Sequence, residues 1–186
     1  ANTAKDYAMV FDGALEAIEK MTKPTISLIK GFCVGGGCEL AMATDLRVSA
    51  RNGKFGIPVA RLGILVGYHE MRRLVDLVGP GNAKYLLFSG KLIDAQEALR
   101  IGMVNTVVSN EEVDTYTYAL AREISVLAPL SHQRHKEILQ TILTNQVLTG
   151  LTCDEKNLPF INFDSDDFVE GRRAFLDRRT PKFKGR

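Results

Sequence analysis

Glu39 stands two residues past a run of three glycines, Gly35-Gly36-Gly37, and the pairing of those residue types suits proton transfer beside an oxyanion. Glycines let the backbone turn sharply and come close to a ligand, because no Cβ obstructs it. Free N–H groups at a helix start favour a developing negative charge. A carboxylate at position 39, three residues past Gly36, can reach a proton near that charge. Together these are the parts needed to form an enolate oxygen: N–H donors for the oxygen and an acid or base next to it. The same glycines also suit a plain tight turn. A phosphate cradle fits less well, because there is no Gly-Lys-Ser/Thr ending and no G-x-G-x-x-G spacing.

Other chemistry-bearing residues form weaker patterns. Cys33, Cys38 and Cys153 make an odd count, with no disulfide framework and no C-x-x-C spacing. That usage fits a reducing compartment, and a cytoplasmic location is expected, with the mitochondrial matrix as an alternative. His132 and His135 can share a helix face, but no third ligand accompanies them, so no metal site is expected. Cys38 reads as a packing residue. The chain carries 45% apolar and 25% charged residues and a net charge of +2, which points to neither nucleic acid nor membrane. No run approaches the roughly 20 apolar residues of a membrane span, and no charged-then-apolar leader opens the sequence. Cations gather near the end, at Arg172, Arg173, Arg178, Arg179, Lys182, Lys184 and Arg186, as a solvated face or a site for a phosphorylated ligand.

The elements that must hold Glu39 can be read from periodicity. Residues 4–21 predict an amphipathic helix, with Ala8, Phe11, Ala14, Leu15 and Ile18 at helical spacing. Pro24 ends it and leads into the strand Thr25-Ile26-Ser27-Leu28-Ile29. Residues 45–50 alternate as a strand, 51–54 form a turn, and 55–58 are extended. Residues 68–78 predict a helix on Met71, Leu74, Val75 and Val78; Gly79-Pro80-Gly81 breaks it and 82–88 resume. A brief strand falls at 91–93, Asp94 caps a short helix, and 103–108 read as a strand. From Asn110 the pattern is helical to the end, broken at Pro129, Gly150 and Pro159. The order argues a mixed α/β core, residues 1–108, followed by a helical section, residues 109–186.

Lys23-Pro24-Thr25-Ile26, followed by the stretch from Gly31 through Gly35-Gly36-Gly37-Cys38-Glu39-Leu40-Ala41-Met42-Ala43 to Asp45, resembles the crotonase superfamily, the enoyl-CoA hydratases and isomerases. The likeness continues through Phe55-Gly56, Leu62-Gly63, Arg73-Leu74, Asp94-Ala95-Gln96-Glu97-Ala98, Gly102-Met103-Val104-Asn105 and Glu170-Gly171-Arg172-Arg173. The resemblance implies a spiral of ββα units, here without the family's N-terminal portion, and a helical C-terminal section that builds trimers or dimers of trimers. It implies an acyl-CoA thioester as substrate, with no metal or redox cofactor beyond the CoA the substrate carries. Gly36 matches the family's oxyanion donor. The second donor belongs to an upstream loop that this sequence does not include.

By the same resemblance Glu39 matches the first of two catalytic glutamates in the hydratases. The second would stand where this chain has Val59, which can neither give nor take a proton. Three outcomes stay open: hydration or dehydration with Glu39 as the single acid/base, another reaction through a thioester enolate such as isomerisation or decarboxylation, or acyl-CoA binding with little catalysis. Val34, Gly35, Val59 and Tyr68 are expected to line the substrate, and Arg178 to meet the CoA phosphates. Tyr68-His69-Glu70 replaces a small-residue segment typical of the family. On a helix at most one of the three can face the pocket. Arg61 is expected in a surface ion pair, with pairing to Glu39 or Glu70, or anchoring of a substrate carboxylate, as the alternatives.

Overall fold

The computed structural model describes residues 2–145 and 147–186. Two compact units divide the chain: Ala1–Met21 with Thr25–Ala119, and Thr22–Pro24 with Leu120–Arg186.

The first unit opens with helix α1 (Asn2–Glu19). Of its predicted apolar face, Leu15 is buried, Phe11 and Ile18 are half-buried, and Ala8 and Ala14 face solvent. The chain then runs through successive ββα passes. Strand β1 (Ile26–Ile29) and β2 (Phe32–Val34) lead into α2 (Gly36–Met42). Strand β3 (Leu46–Ala50) and β4 (Lys54–Gly56) lead through a 3-10 turn at Val59–Arg61 into α3 (Tyr68–Ser89). A third pass holds β5 (Ile93–Asp94), α4 (Ala95–Arg100) and β6 (Thr106–Val108). Each pass extends a sheet already begun. One sheet has the order β1-β3-β6, parallel throughout, and the other the order β2-β4-β5, with β4 and β5 antiparallel.

Parallel strands covered on both faces should be apolar along their length. The last four residues of β3 are all buried, yet one of them is Arg47. The arginine is tolerated because its donors are occupied. Nε donates to Met103 O at 2.9 Å and Nη1 to Thr44 O at 2.6 Å, while the Arg47 N–H donates to Asn105 Oδ1 at 2.8 Å. A cation at the C-terminal end of α2 also opposes the partial negative charge of the last carbonyls there. Arg47 thus fixes where α2 ends, and so where its other end points.

Asp45, read as the first strand residue, stands outside β3 and accepts from Thr25 N–H at 2.7 Å and Thr25 Oγ1 at 2.8 Å. The break expected in α3 is present: Gly79 (φ 75°, ψ 161°) leaves helical geometry, and Asn82 Nδ2 donates to Val78 O at 2.8 Å beside it. Asp94 caps α4 as predicted, accepting from Glu97 N–H at 2.9 Å. The strand expected at 103–108 is shorter, because Asn105 is committed to Arg47. The core gathers Phe55, Ile57, Leu74, Leu86, Met103 and their neighbours between the sheets and helices.

Helix α5 (Val113–Ser125) leads into the second unit, which contains α6 (Pro129–Thr144), α7 (Cys153–Ile161) and α8 (Asp166–Leu176). Two sequence expectations need correction here. Pro159 lies inside α7 rather than ending it, and the chain is not helical beyond Leu176. A full capping box at Thr152 and Glu155 holds the start of α7, so one lost bond at Pro159 does not end so short a helix. The final segment lies back along α8. Glu170 takes Arg179 and the Lys182 N–H, and Asp167 takes the N–H groups of Lys184 and Gly185. Those bonds give the tail's backbone partners that a helix would otherwise have supplied.

Candidate active site

Strand β2 delivers Val34 to Gly35, and Gly35 makes the turn into α2 at φ 57°, ψ −127°. That backbone region is close to glycine-only. The Gly35 N–H donates to Gly56 O at 2.9 Å, so the turn is tied to the end of β4. The Gly36 N–H is the first of α2 and has no intrahelical acceptor. No other acceptor meets it among the described residues. The ring of Phe11, from α1, lies 3.6 Å from where a Gly36 Cβ would stand. Gly36 itself is exposed, so its N–H is open to a ligand, with an apolar ring as neighbour.

Glu39 sits in the first turn of α2, half-buried, with its own N–H donating to Gly35 O at 3.0 Å. The rear of α2 is anchored by Cys38, Ala41 and Met42, all in the core. Burial, with a smaller contribution from the charge of Asp12, holds the Glu39 carboxyl above the usual glutamate range; Arg73 acts in the opposite sense. A carboxyl raised in this way is a stronger base when ionised, and it holds a proton at a pH closer to neutrality than an ordinary glutamate does. Cys33 and Cys38 are both buried and free, and Cys33 Sγ donates to Gly37 O at 3.5 Å. Hydrogen bonding to Cys33, together with burial, pushes the Cys38 thiol well up, which suits packing rather than attack.

The other predicted residues separate into groups. Val34, Gly35, Gly36 and Glu39 all fall within six residues on the β2–α2 corner, and the pairing Val34↔Gly56 brings in the strand that leads to Val59. Val59 is half-buried against the core. Tyr68 is 95% exposed, while Glu70, two residues on, is buried at 7% exposure. Arg61 lays its side chain along Gly90, with Cγ and Nε 3.4 Å from where a Cβ would stand there. Arg178 is exposed in the second unit, at φ 54°.

Two groups near Glu39 were not singled out in the sequence as site residues. Asp12 projects from α1 close enough to raise the Glu39 carboxyl. Arg73, from α3, is held by Glu19 of α1, with Nε at 2.6 Å and Nη2 at 2.9 Å from its two carboxylate oxygens. The signal for both lay in the spacing of Asp12, Glu16 and Glu19, an acidic stripe at i, i+4 and i+7 beside the apolar one.

Comparison with known proteins agrees with this geometry. The family model described as enoyl-CoA hydratase/isomerase matches residues 1–186. A crotonyl-CoA hydratase of Syntrophomonas wolfei is 38% identical over 98% of this chain and 70% of its own length. A short-chain-enoyl-CoA hydratase of Clostridium acetobutylicum is 33% identical over 94% of this chain and 67% of its own. Among solved structures, an enoyl-CoA hydratase/carnithine racemase from Magnetospirillum magneticum superposes with a TM-score of 0.95 at 34% identity, covering all of this chain and 68% of that one. With the ββα passes and the glycine-glutamate corner in place, the chain belongs to the enoyl-CoA hydratase/isomerase family.

Proposed function

We propose that this protein hydrates a 2-enoyl-CoA thioester, with Glu39 as the proton carrier and the Gly36 N–H as one oxyanion donor. The observation that carries the reading is the corner itself. A carboxyl held above its usual range stands in the first turn of α2, and the N–H that opens that turn has no acceptor. Water gives one proton to Glu39 while its oxygen bonds to C3 of the enoyl group. The thioester oxygen takes the displaced electron pair as an enolate facing Gly36. Collapse of the enolate returns a proton to C2, so the product is the 3-hydroxyacyl thioester and nothing else is consumed. A preorganised donor is worth about 3–4 kcal/mol in such sites.

The named hydratases among the relatives support this reading over isomerisation or decarboxylation. Val34, Gly35 and Val59 form the wall next to Glu39 in this reading, Tyr68 contacts the substrate from the start of α3, and Arg178 meets the CoA phosphates. The route requires no metal or redox cofactor. A homotrimer or dimer of trimers is proposed, supported by the exposed apolar residues Phe160, Ile161, Phe163 and Phe168 in the helical section. Among the described residues no helix is long and apolar enough to cross a membrane. A reducing, cytoplasmic setting is proposed from the free cysteines.

The test is turnover of crotonyl-CoA and of longer and branched 2-enoyl-CoAs, followed by loss of the enoyl absorbance. Glu39→Gln should lower kcat by about 10²–10⁴-fold while thioester binding persists. Absence of turnover by the parent protein on every thioester would overturn the assignment.

A further inference from the structure

Val59 leaves Glu39 without the second carboxylate expected after β4, yet two other carboxyl groups of the first unit stand close by. Glu70 of α3 is 7% exposed, and its Oε2 is buried with no hydrogen-bond donor among the described residues. Asp12 Oδ1, on α1, is buried and lacks a donor in the same way. The Asp12 carboxyl lies near enough to Glu70 to share a hydrogen bond with it once one of the two carries a proton. Glu70 is also folded back over the start of its own helix: a Cβ at Gly67 would lie 2.5 Å from Oε2, so a side chain there would displace the carboxyl.

Two ionised carboxylates cannot hydrogen-bond, because both are acceptors only. Buried oxygens left without a donor are costly, and two like charges at contact raise that cost. A single proton between the two groups removes both penalties. The cation beside them does not supply the missing donor: Arg73 directs Nε and Nη2 to Glu19, and its buried Nη1 has no acceptor. The remaining charged and titratable groups around this cluster are Glu16 and Glu19 of α1, Lys20 just beyond it, Glu39 of α2 and His69 of α3.

We propose that Asp12 and Glu70 form a carboxyl pair bridged by one proton, and that this pair is a positioning element for Glu39, setting the protonation state of the residue that handles the reacting proton. The assignment to Glu39 chemistry rests on the hydratase reading; the shared proton does not. Burial and the bond to Asp12 both push the Glu70 carboxyl up, in keeping with a bridging proton. The Asp12 charge in turn reaches Glu39 and makes it more basic. The pair thus supplies through space part of what a neighbouring carboxylate at position 59 would have supplied directly.

Carboxyl-¹³C NMR titration of Glu and Asp in the purified protein, with kcat/KM for crotonyl-CoA measured across the same pH range, tests both halves. The Glu70 signal should titrate above the ordinary carboxylate range and move down in Asp12→Asn, while burial still holds it above that range. The Glu39 signal, and the acid limb of kcat/KM with it, should move to lower pH in Asp12→Asn. Neither should move in Glu70→Gln, where the amide donates to Asp12 and its charge remains. A purely structural role would slow or destabilise both variants alike and leave the limb in place. An ordinary Glu70 titration overturns the shared proton. A Glu39 signal that ignores Asp12→Asn overturns the coupling. If the parent turns over no enoyl-CoA the hydratase reading fails, and the Glu39 and Glu70 titrations still decide the pair.

Discussion

Arg73 and Glu19 join α3 to α1 by two parallel contacts, Nε to Oε1 at 2.6 Å and Nη2 to Oε2 at 2.9 Å, with the arginine side chain only 10% exposed. A two-pronged pair of this kind fixes angle as well as distance. It therefore sets how α1, which carries Asp12 and Phe11, lies against the helix that carries Glu70. Replacing Arg73 with methionine keeps much of the buried stem and leaves Glu19 without its partner. The expected loss is about 2 kcal/mol in urea unfolding, below the cost of breaking a fully buried pair because Glu19 is partly solvated. Glu39-dependent turnover should fall with it, since Phe11 and Asp12 lose their reference.

Arg47 provides a second test on the opposite end of α2. Arg47→Met preserves volume but strips Met103 O and Thr44 O of a charged donor in a buried setting. Loss of such bonds costs about 2–4 kcal/mol, so the midpoint of denaturation should drop well below that of any surface arginine variant. Arg100→Met is the control, because its partner Glu97 is on the same exposed helix face.

Glu39 should make the protein less stable as well as active. Its folded-state carboxyl is raised above the unfolded one by burial and by Asp12. The folded state therefore binds more proton than the unfolded state between the two values, and stability falls as pH rises through that window. Below the unfolded value the penalty is absent; above the folded value it is fully present. Glu39→Gln removes it. The variant should be more stable than the parent at neutral pH and no more stable in acid, measured by thermal melts across the range.

The cysteines separate by access. Cys153 is exposed, whereas Cys33 and Cys38 lie in the core. Alkylation of the folded protein should add one label rapidly and the other two only on unfolding, read by intact mass. Rapid double or triple labelling would show that the β2–α2 corner opens in solution.

Much of the fold and the centre of the site were legible from local chemistry. The glycine run and Glu39 are contiguous, so one short stretch of sequence carried the turn, the donor and the acid together. Asp94 was legible for the same reason, since a cap is a contact between near neighbours. What escaped depended on distant pairing. Arg47 falls in a stretch read only as an alternating strand, and its buried bonds to Met103 and Thr44 are not visible from that pattern. Asp12 carries no signal of its own until Glu70 arrives from 58 positions away along the chain. Tyr68, His69 and Glu70 showed that one at most would turn inward, but which one depended on the entry angle of α3, and that is set by tertiary contacts. The tail beyond Leu176 was misread as helix because its partners, Glu170 and Asp167, sit on another element.

The break at Gly79 makes α3 two rods rather than one. The first carries Glu70 and Arg73 and buries Leu74 and Val78; the second sinks Ala83, Leu86 and Leu87 into the core. A straight helix would have locked the orientation of the first to the packing of the second. With the joint in place, the rod that carries Glu70 and Arg73 takes its direction from its own buried contacts, Leu74 and Val78, rather than from the seating of the second rod.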